Sequence, residues 1–174
     1  HDWAGWDAAG RLRFRTPDGE ASALPDAVVL ALGGASWPKL GSTGAWTEVL
    51  GAQGVAVSSL KPANGGFDVA WSDLFRDRFA GQPLKAVAVT FGRRRLRGEA
   101  MVTRHGLEGG VIYALSAALR DAIAKEGAAR LWIDLRPGAT AAQLEASIAH
   151  APANQSVANR LRKAVHLTPL ETNL

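Results

Sequence analysis

The feature that most restricts the fold is a continuous apolar run, residues 27–32, that ends in a pair of glycines. Because apolar residues follow one another here instead of alternating with polar ones, the run predicts a strand buried on both faces, as in a central parallel strand. A second glycine-rich stretch, residues 41–44, comes before a helical pattern at 45–53, and residues 55–57 predict another strand. The order strand, glycine loop, helix and strand is typical of an α/β nucleotide-binding fold.

The two glycine-rich stretches are candidate ligand contacts. Gly33 and Gly34 stand at the carboxyl end of the predicted strand, where the backbone can approach a ligand closely. Free amides at a helix start, next to the hydroxyls of Ser42 and Thr43, suit a phosphate or a carboxylate. Taken alone, each stretch is better explained by a structural role, namely a tight turn and a helix cap. The chain contains neither a Gly-x-Gly-x-x-Gly turn nor a phosphate-binding P-loop.

The composition changes at residues 61–66, Lys-Pro-Ala-Asn-Gly-Gly, which predicts a domain boundary there. Beyond it, residues 84–91 alternate and predict a hairpin with residues 96–103 across an arginine-rich turn. Further predicted elements are a strand at 67–70, a glycine loop at 106–110, a helix at 111–125 with apolar residues at helical spacing, and a strand at 131–135. Ser72 and Thr140 are predicted to cap helices that run to Arg78 and to about residue 150, and a last helix is predicted at 155–166.

Composition and charge limit the partners and the location. The net charge of +4 raises the question of nucleic acid. However, the richest basic cluster, residues 93–97, is interpreted as a solvated hairpin tip, and no aromatic-studded basic sheet is evident, so nucleic acid is not favoured. The absence of cysteine excludes disulfides, thiolate metal sites and cysteine nucleophiles, and fits a reducing compartment. No membrane-length apolar run and no signal peptide occur, so we expect a cytoplasmic location without a membrane partner.

Residues 98–110 combine a strand, two titratable side chains and a glycine loop at a helix start. Glu99 and His105 are candidates for acid–base chemistry, although a single histidine beside a turn more often has a structural role. The other histidines show no partner spacing, so no metal site is expected. A serine triad is not expected either, because the chain lacks a Gly-x-Ser-x-Gly nucleophile elbow.

Two long stretches resemble signatures of one family. Residues 32–44, Leu-Gly-Gly-Ala-Ser-Trp-Pro-Lys-Leu-Gly-Ser-Thr-Gly, closely resemble the "ATGG-S-P–GSTG" signature of the bacterial aminoacetone-oxidase-like, NAD(P)/FAD-dependent flavoproteins. Residues 98–109, with Ser116 in the following helix, resemble that family's second signature, "GE-L-T-GLSGP". The resemblance spans nearly the whole chain in the right order. Departures from the signatures, which suggest a divergent subgroup, are Leu32 for Thr, and Glu108 and Gly110 for Ser and Pro.

The resemblance implies an α+β fold. Residues 1–64 would be the C-terminal part of the first segment of an FAD-binding α/β domain. An inserted domain would follow at 65–174, β-barrel-like at 65–136 and helical at 137–174. Because the chain begins at His1 and has no phosphate-binding glycine turn, we expect a fragment that by itself binds FAD weakly or not at all.

The function implied is that of an FAD-dependent oxidoreductase, with NAD(P)H as a second cofactor. This chain would contribute one edge of the flavin site and an insert that gates the substrate, and alone it would be inactive. Catalytic residues, substrate and oligomeric state are not predicted. The alternative is a non-catalytic module that recognises a partner such as nucleic acid through Arg76, Arg78 and residues 93–97. The implied cofactor-binding residues are Gly33, Gly34, Ala35, Gly41, Ser42, Thr43 and Gly44.

Overall fold

The computed structural model describes all 174 residues, which form two compact units, His1–Lys61 and Pro62–Leu174. The division falls inside the segment 61–66, where the composition changes. The assignment of residues 1–64 to an FAD-binding segment and of 65–174 to an insert stays a prediction. No helix of the structure is both long enough and apolar enough to cross a lipid bilayer.

The first unit begins with a three-stranded antiparallel sheet. Leu12 and Phe14, which alternate with arginines along the sequence as in a half-buried strand, lie in its central strand. The carboxylate of Asp7 shapes the first turn by accepting hydrogen bonds from the amides of Ala9 and Arg11, both at 2.9 Å. The strands are β1 (Asp2–Trp6), β2 (Leu12–Thr16) and β3 (Gly19–Ala23), in the order β1-β2-β3.

The helical pattern at 45–53 is confirmed as helix α1, Trp46–Ala52. A short 3₁₀-helix, Pro38–Leu40, comes before it and ends at Gly41, whose φ of +87° is easily reached only by glycine. Gly54, at a φ of +79°, follows the last turn of α1 as predicted.

Two predicted strands of the first unit are wrong. Residues 27–32 and 55–57 form no strand, and Val29 is 90% exposed. A strand exists only through hydrogen bonds to a neighbour, and no segment of this unit pairs with either stretch. The burial on both faces that the apolar run predicts is also wrong, because a segment that pairs with no neighbour has no sheet in which to be buried.

The second unit is built on a five-stranded sheet in which every pair is antiparallel. The predicted hairpin is confirmed, with Val87 opposite Gly98 and Val89 opposite Leu96. The sheet curls into a half-barrel. The strands are β4 (Phe67–Asp68), β5 (Pro83–Phe91), β6 (Arg94–Val102), β7 (Gly106–Glu108) and β8 (Trp132–Asp134), in the order β4-β7-β6-β5-β8.

Two details of this unit differ from prediction. The hairpin tip is only Gly92 and Arg93, because Arg94 and the residues after it pair within β6. The expected glycine loop at 106–110 is mostly strand β7, which pairs with both β4 and β6. Residues 106–108 form a strand because they pair with β4 on one side and with β6 on the other. Glycine in this stretch allows β7 to approach these neighbours closely.

The core of the second unit lies between the sheet and two helices. Ser72 caps α2 (Asp73–Phe79) as predicted, with its Oγ accepting from the amide of Phe75. Helix α3 (Gly110–Glu126) ends at Gly127, which has a φ of +79°. Its apolar stripe was recognised from helical spacing and packs against β5 and β6. The most deeply buried core side chains are Leu84, Val87, Val89, Val102, Ile112, Leu115 and Leu119.

Three short helices occupy the end of the chain. Thr140 starts α4 (Ala141–Ala149) with a capping box that it forms with Gln143, and Ser156 caps α5 (Val157–Ala164). Both helices were predicted. A third, α6 (Pro169–Asn173), was not, although Thr168 and Glu171 form a second capping box there. Its five residues are too few to show helical periodicity.

Candidate functional site

The structure brings the two glycine-rich stretches of the first unit together. A β-carbon added to Gly44 would lie 2.7 Å from Cβ of Ala35 and 3.0 Å from Cδ1 of Leu60. Gly44 is buried at a φ of +72°, so both its conformation and its surroundings require glycine. A β-carbon on Gly34 would be 3.9 Å from Oγ of Ser42. Residues 33–35 and 41–44 therefore form one continuous surface.

Backbone hydrogen bonds close the loop between these stretches. The amide of Ser42 donates to the carbonyl of Trp37 at 3.2 Å, and that of Gly41 donates to Pro38 at 3.0 Å. Oγ1 of Thr43 accepts from the amide of Ala45 at 3.3 Å, but the N-cap residue of α1 is Ala45 and the helix has no side-chain cap, so the interpretation of this stretch as a helix cap is wrong. The loop is thus held in one conformation without charged side chains.

Several hydrogen-bonding groups on this surface have no partner within the protein. The amides of Gly33, Gly34 and Ala35 donate to no protein acceptor, and neither does the hydroxyl of Ser42. Gly33 is exposed at a φ of +71°, with nothing within 4 Å of where a β-carbon would lie. Water ordinarily satisfies such exposed amides, and a ligand oxygen or ring nitrogen can replace it.

Two cavities flank the surface. One, of about 650 Å³, borders Thr43 and Gly44 and is lined by polar groups of Thr47, Glu48 and Ser58. The other, of about 390 Å³, borders Gly33 and is lined by apolar side chains. The apolar lining consists of Leu30, Ala31, Leu32, Trp46 and Leu50. The site therefore offers neutral donors beside an apolar wall.

The glycines of residues 98–110 have a packing role. A β-carbon on Gly98 would lie 2.8 Å from Cγ1 of Val111, so β6 could not approach α3 as closely. One on Gly106 would overlap the carbonyl oxygen of Phe67, and one on Gly110 that of Glu99. These glycines let β7 and the start of α3 pack tightly against their neighbours.

The titratable pair in this region forms no catalytic arrangement. Glu99 and His105 are both exposed, and neither side chain has a hydrogen-bond partner. His105 lies in a turn organised by Thr103, whose Oγ1 accepts from the amide of Gly106 at 3.1 Å. The carbonyl of His105 accepts from Val69 at 2.9 Å. No group of three His, Cys, Asp or Glu side chains clusters as a metal site would require.

The strongest polar arrangement of the chain was missed from sequence. Arg136 forms a bidentate ion pair with the buried carboxylate of Glu171, at 2.8 and 2.9 Å. Its guanidinium also donates to the carbonyls of Leu135, Val165 and His166. A separation of 35 residues gives no local sequence signal for this pairing.

The charges of this pair stabilise each other. Burial acts to raise the pKa of Glu171, but hydrogen bonds from Arg136 and Thr168 outweigh it and hold that pKa below its usual value. The hydrogen bond to Glu171 raises the pKa of Arg136. Both groups are therefore charged at neutral pH, and together they tie residues 135 and 136 to the chain at 165–171.

Most of the arginines that would contact a nucleic acid, if the chain were a non-catalytic binding module, have partners inside the protein. Arg76 binds Asp73 at 2.6 Å, and Arg95 binds Asp134 at 2.7 Å. Arg97 donates to the carbonyl of Pro137. Arg78 lies over the ring of Phe79, 5.4 Å from its centroid. Arginines with such partners have less capacity to bind a nucleic acid. Among the arginines of this alternative, Arg93 at the hairpin tip and Arg94 beside it have no partner for their side chains.

These features define a two-unit α+β protein whose larger unit is a half-barrel with appended helices. Residues 61–172 match the family model described as "HI0933-like protein barrel and H2TH domain". The chain therefore belongs to the HI0933-like family, whose domains are associated with FAD-dependent flavoproteins. None of the curated proteins compared with the sequence matches it significantly.

Proposed function

We propose that this protein is part of an FAD-dependent oxidoreductase of the aminoacetone-oxidase-like type. In this proposal residues 33–35 and 41–44 form one edge of the flavin site. The observation that carries it is the surface of unpartnered amides at Gly33, Gly34 and Ala35, in a chain that belongs to the HI0933-like family. That family is associated with flavoproteins, which is why FAD is the cofactor we choose.

The residues present fit a flavin nucleotide in two respects. Neutral amides and the hydroxyl of Ser42 suit the oxygens and ring nitrogens of a flavin, which is recognised mainly by hydrogen bonds. The apolar cavity beside Gly33, with Leu32 and Trp46 in its wall, suits a flat aromatic ring. Bound FAD would supply the redox chemistry, while these residues bind it, orient it and exclude water.

We further propose that the half-barrel unit gates the substrate. Within that unit an apolar cavity of about 430 Å³ borders β4 and α3, with Phe67, Ile123 and Leu131 among its lining residues. Its size is in the range of small-molecule sites. NAD(P)H is proposed as the electron donor on the basis of the family resemblance.

The test compares two glycine substitutions in the polypeptide as its natural gene encodes it. Gly33→Ala places a methyl group where the flavin would approach. Gly10→Ala is the matched control, because Gly10 has nearly the same φ (+76° against +71°) and equally open surroundings, but lies in a surface turn. Both carry the same backbone strain, so a difference between them reports on the site.

We expect the unmodified polypeptide to purify yellow, with the visible absorbance of bound flavin. Gly33→Ala should lower the flavin content, and Gly10→Ala should leave it unchanged. A colourless polypeptide that ignores added FAD would refute the cofactor assignment. Equal flavin content in the two variants would remove residue 33 from the site.

A further inference from the structure

Helix α5 presents a row of polar and cationic side chains at a concave surface. Asn159, Arg162 and Lys163 are spaced at i, i+3 and i+4, so they share one face of the helix. With His166 and Leu167, which follow the helix, they line a pocket of about 350 Å³. Residues from the helix and from the segment after it therefore border one open pocket.

The far wall of this pocket is held in place by the ion pair described above. Arg136 binds the carbonyls of Val165 and His166, and is itself fixed by Glu171. His166 has a φ of +55° and directly follows Val165, the C-cap of α5, a position at which helices often end in the left-handed conformation. Hydrogen bonds from Arg136 to the carbonyls of Val165 and His166 hold the backbone that carries the imidazole.

The cations of the pocket are not neutralised within the protein. Arg162 and Lys163 are exposed and take part in no ion pair or hydrogen bond. The two side-chain carboxylates of residues 137–174 are Glu145 and Glu171, and Glu171 is already paired with Arg136. The whole unit Pro62–Leu174 has 15 Lys and Arg against 10 Asp and Glu, so an approaching anion meets a positive field.

Stabilisation of the C-terminal end of α5 explains part of this clustering of cations. Cations in the last turn of a helix stabilise its negative end, and Arg162 and Lys163 are in that position. That role requires neither a concave surface nor donors contributed from outside the helix. It does not explain the presence of Asn159 and of the His166 side chain at the same pocket.

We propose that the pocket lined by Asn159, Arg162, Lys163 and His166 binds a phosphate group of a nucleotide. Arginine and lysine are the side chains best suited to phosphate oxygens, and amide and imidazole donors complete such a site. The phosphate comes either from a free nucleotide or from a nucleic-acid backbone, which present the same oxygens. This proposal uses none of the residues of the proposed flavin contacts and does not depend on them.

The experiment measures binding of three probes by isothermal titration calorimetry at low ionic strength: inorganic phosphate, adenosine diphosphate and a short single-stranded oligonucleotide. The variant R162A/K163A is compared with R93A/R94A, which removes two exposed and unpaired arginines from the hairpin tip. Both variants lose the same charge, so only a defined site distinguishes them. Circular dichroism checks that both remain folded.

We expect R162A/K163A to weaken binding at least about tenfold, since hydrogen bonds to charged groups are among the stronger ones. R93A/R94A should change it little. Saturable binding of the diphosphate identifies a free nucleotide as the source, and binding of the oligonucleotide alone identifies a nucleic-acid backbone. Equal losses in the two variants, or no binding of any probe, would overturn the proposal. Gly33→Ala should leave the binding of these probes unchanged. A failure of the phosphate-pocket proposal can therefore be distinguished from a failure of the proposed flavin site.

Discussion

The Arg136–Glu171 ion pair should dominate the stability of the helical end of the chain. In Arg136→Met the side chain keeps its approximate length but loses its charge. The buried carboxylate of Glu171 then has no cation, and the carbonyls of Leu135, Val165 and His166 lose a donor. Removing one partner of a buried ion pair costs about 3–5 kcal/mol in free energy of unfolding. A loss of that size is a large fraction of the stability of a typical domain.

Urea denaturation followed by far-ultraviolet circular dichroism measures this loss, because five of the six α-helices belong to the second unit. A double-mutant cycle with Glu171→Gln isolates the pair from the carbonyl contacts. Arg136→Met should cost more than Glu171→Gln, because only the former leaves a buried charge unpaired. A cost below about 1 kcal/mol for Arg136→Met would refute the reasoning, since that is the value of an exposed pair.

The pH dependence of unfolding provides a second test of the same pair. The pKa of Glu171 is lowered in the folded protein, so its contribution is complete above the unfolded pKa of about 4.3. This contribution is lost as the pH falls through the lower, folded pKa. In Arg136→Met, burial without a partner should raise the pKa of Glu171, and that variant should instead gain stability on mild acidification. Parallel pH profiles for the two proteins would contradict this account.

Three further substitutions test the packing and capping of the second unit, each by urea denaturation. Leu115→Ala removes a side chain that is fully buried between α3 and the sheet, and should cost about 2–5 kcal/mol. Thr140→Ala removes the side-chain half of a capping box and should cost about 1 kcal/mol, so an unchanged midpoint would argue against the cap. Gly106→Ala would force β7 away from the carbonyl of Phe67, whereas Gly138→Ala, with open space around it, should have little effect.

Local signals were sufficient for most of the secondary structure. Ser72 and Thr140 were recognised as helix caps because capping depends on residues within one turn. The hairpin of β5 and β6 followed from alternation on both sides of a glycine turn. The same reasoning failed at residues 27–32, because an apolar run carries no information about which segment will pair with it.

In the candidate sites, too, the sequence indicated some of the residues, whereas only the fold shows which of them lie together. The sequence and the family resemblance predicted the glycine stretches at 33–35 and 41–44 as candidate ligand contacts, and both this role and the assignment to FAD stay proposals. That they share one surface was not predictable, because the contact of Gly44 with Ala35 depends on the path of the intervening loop. The pocket of α5 was missed altogether, since a basic helical face by itself is most often solvated.

The sequence by itself determined where most of the helices and the long hairpin lie, through helix caps and glycine turns. These properties depend on a few neighbouring residues and on the conformational freedom of glycine. The tertiary structure alone decided that Arg136 meets Glu171, and that Ala35 meets Gly44. Such contacts depend on how distant segments pack, and the free energy that selects them belongs to the whole core rather than to any short stretch of chain.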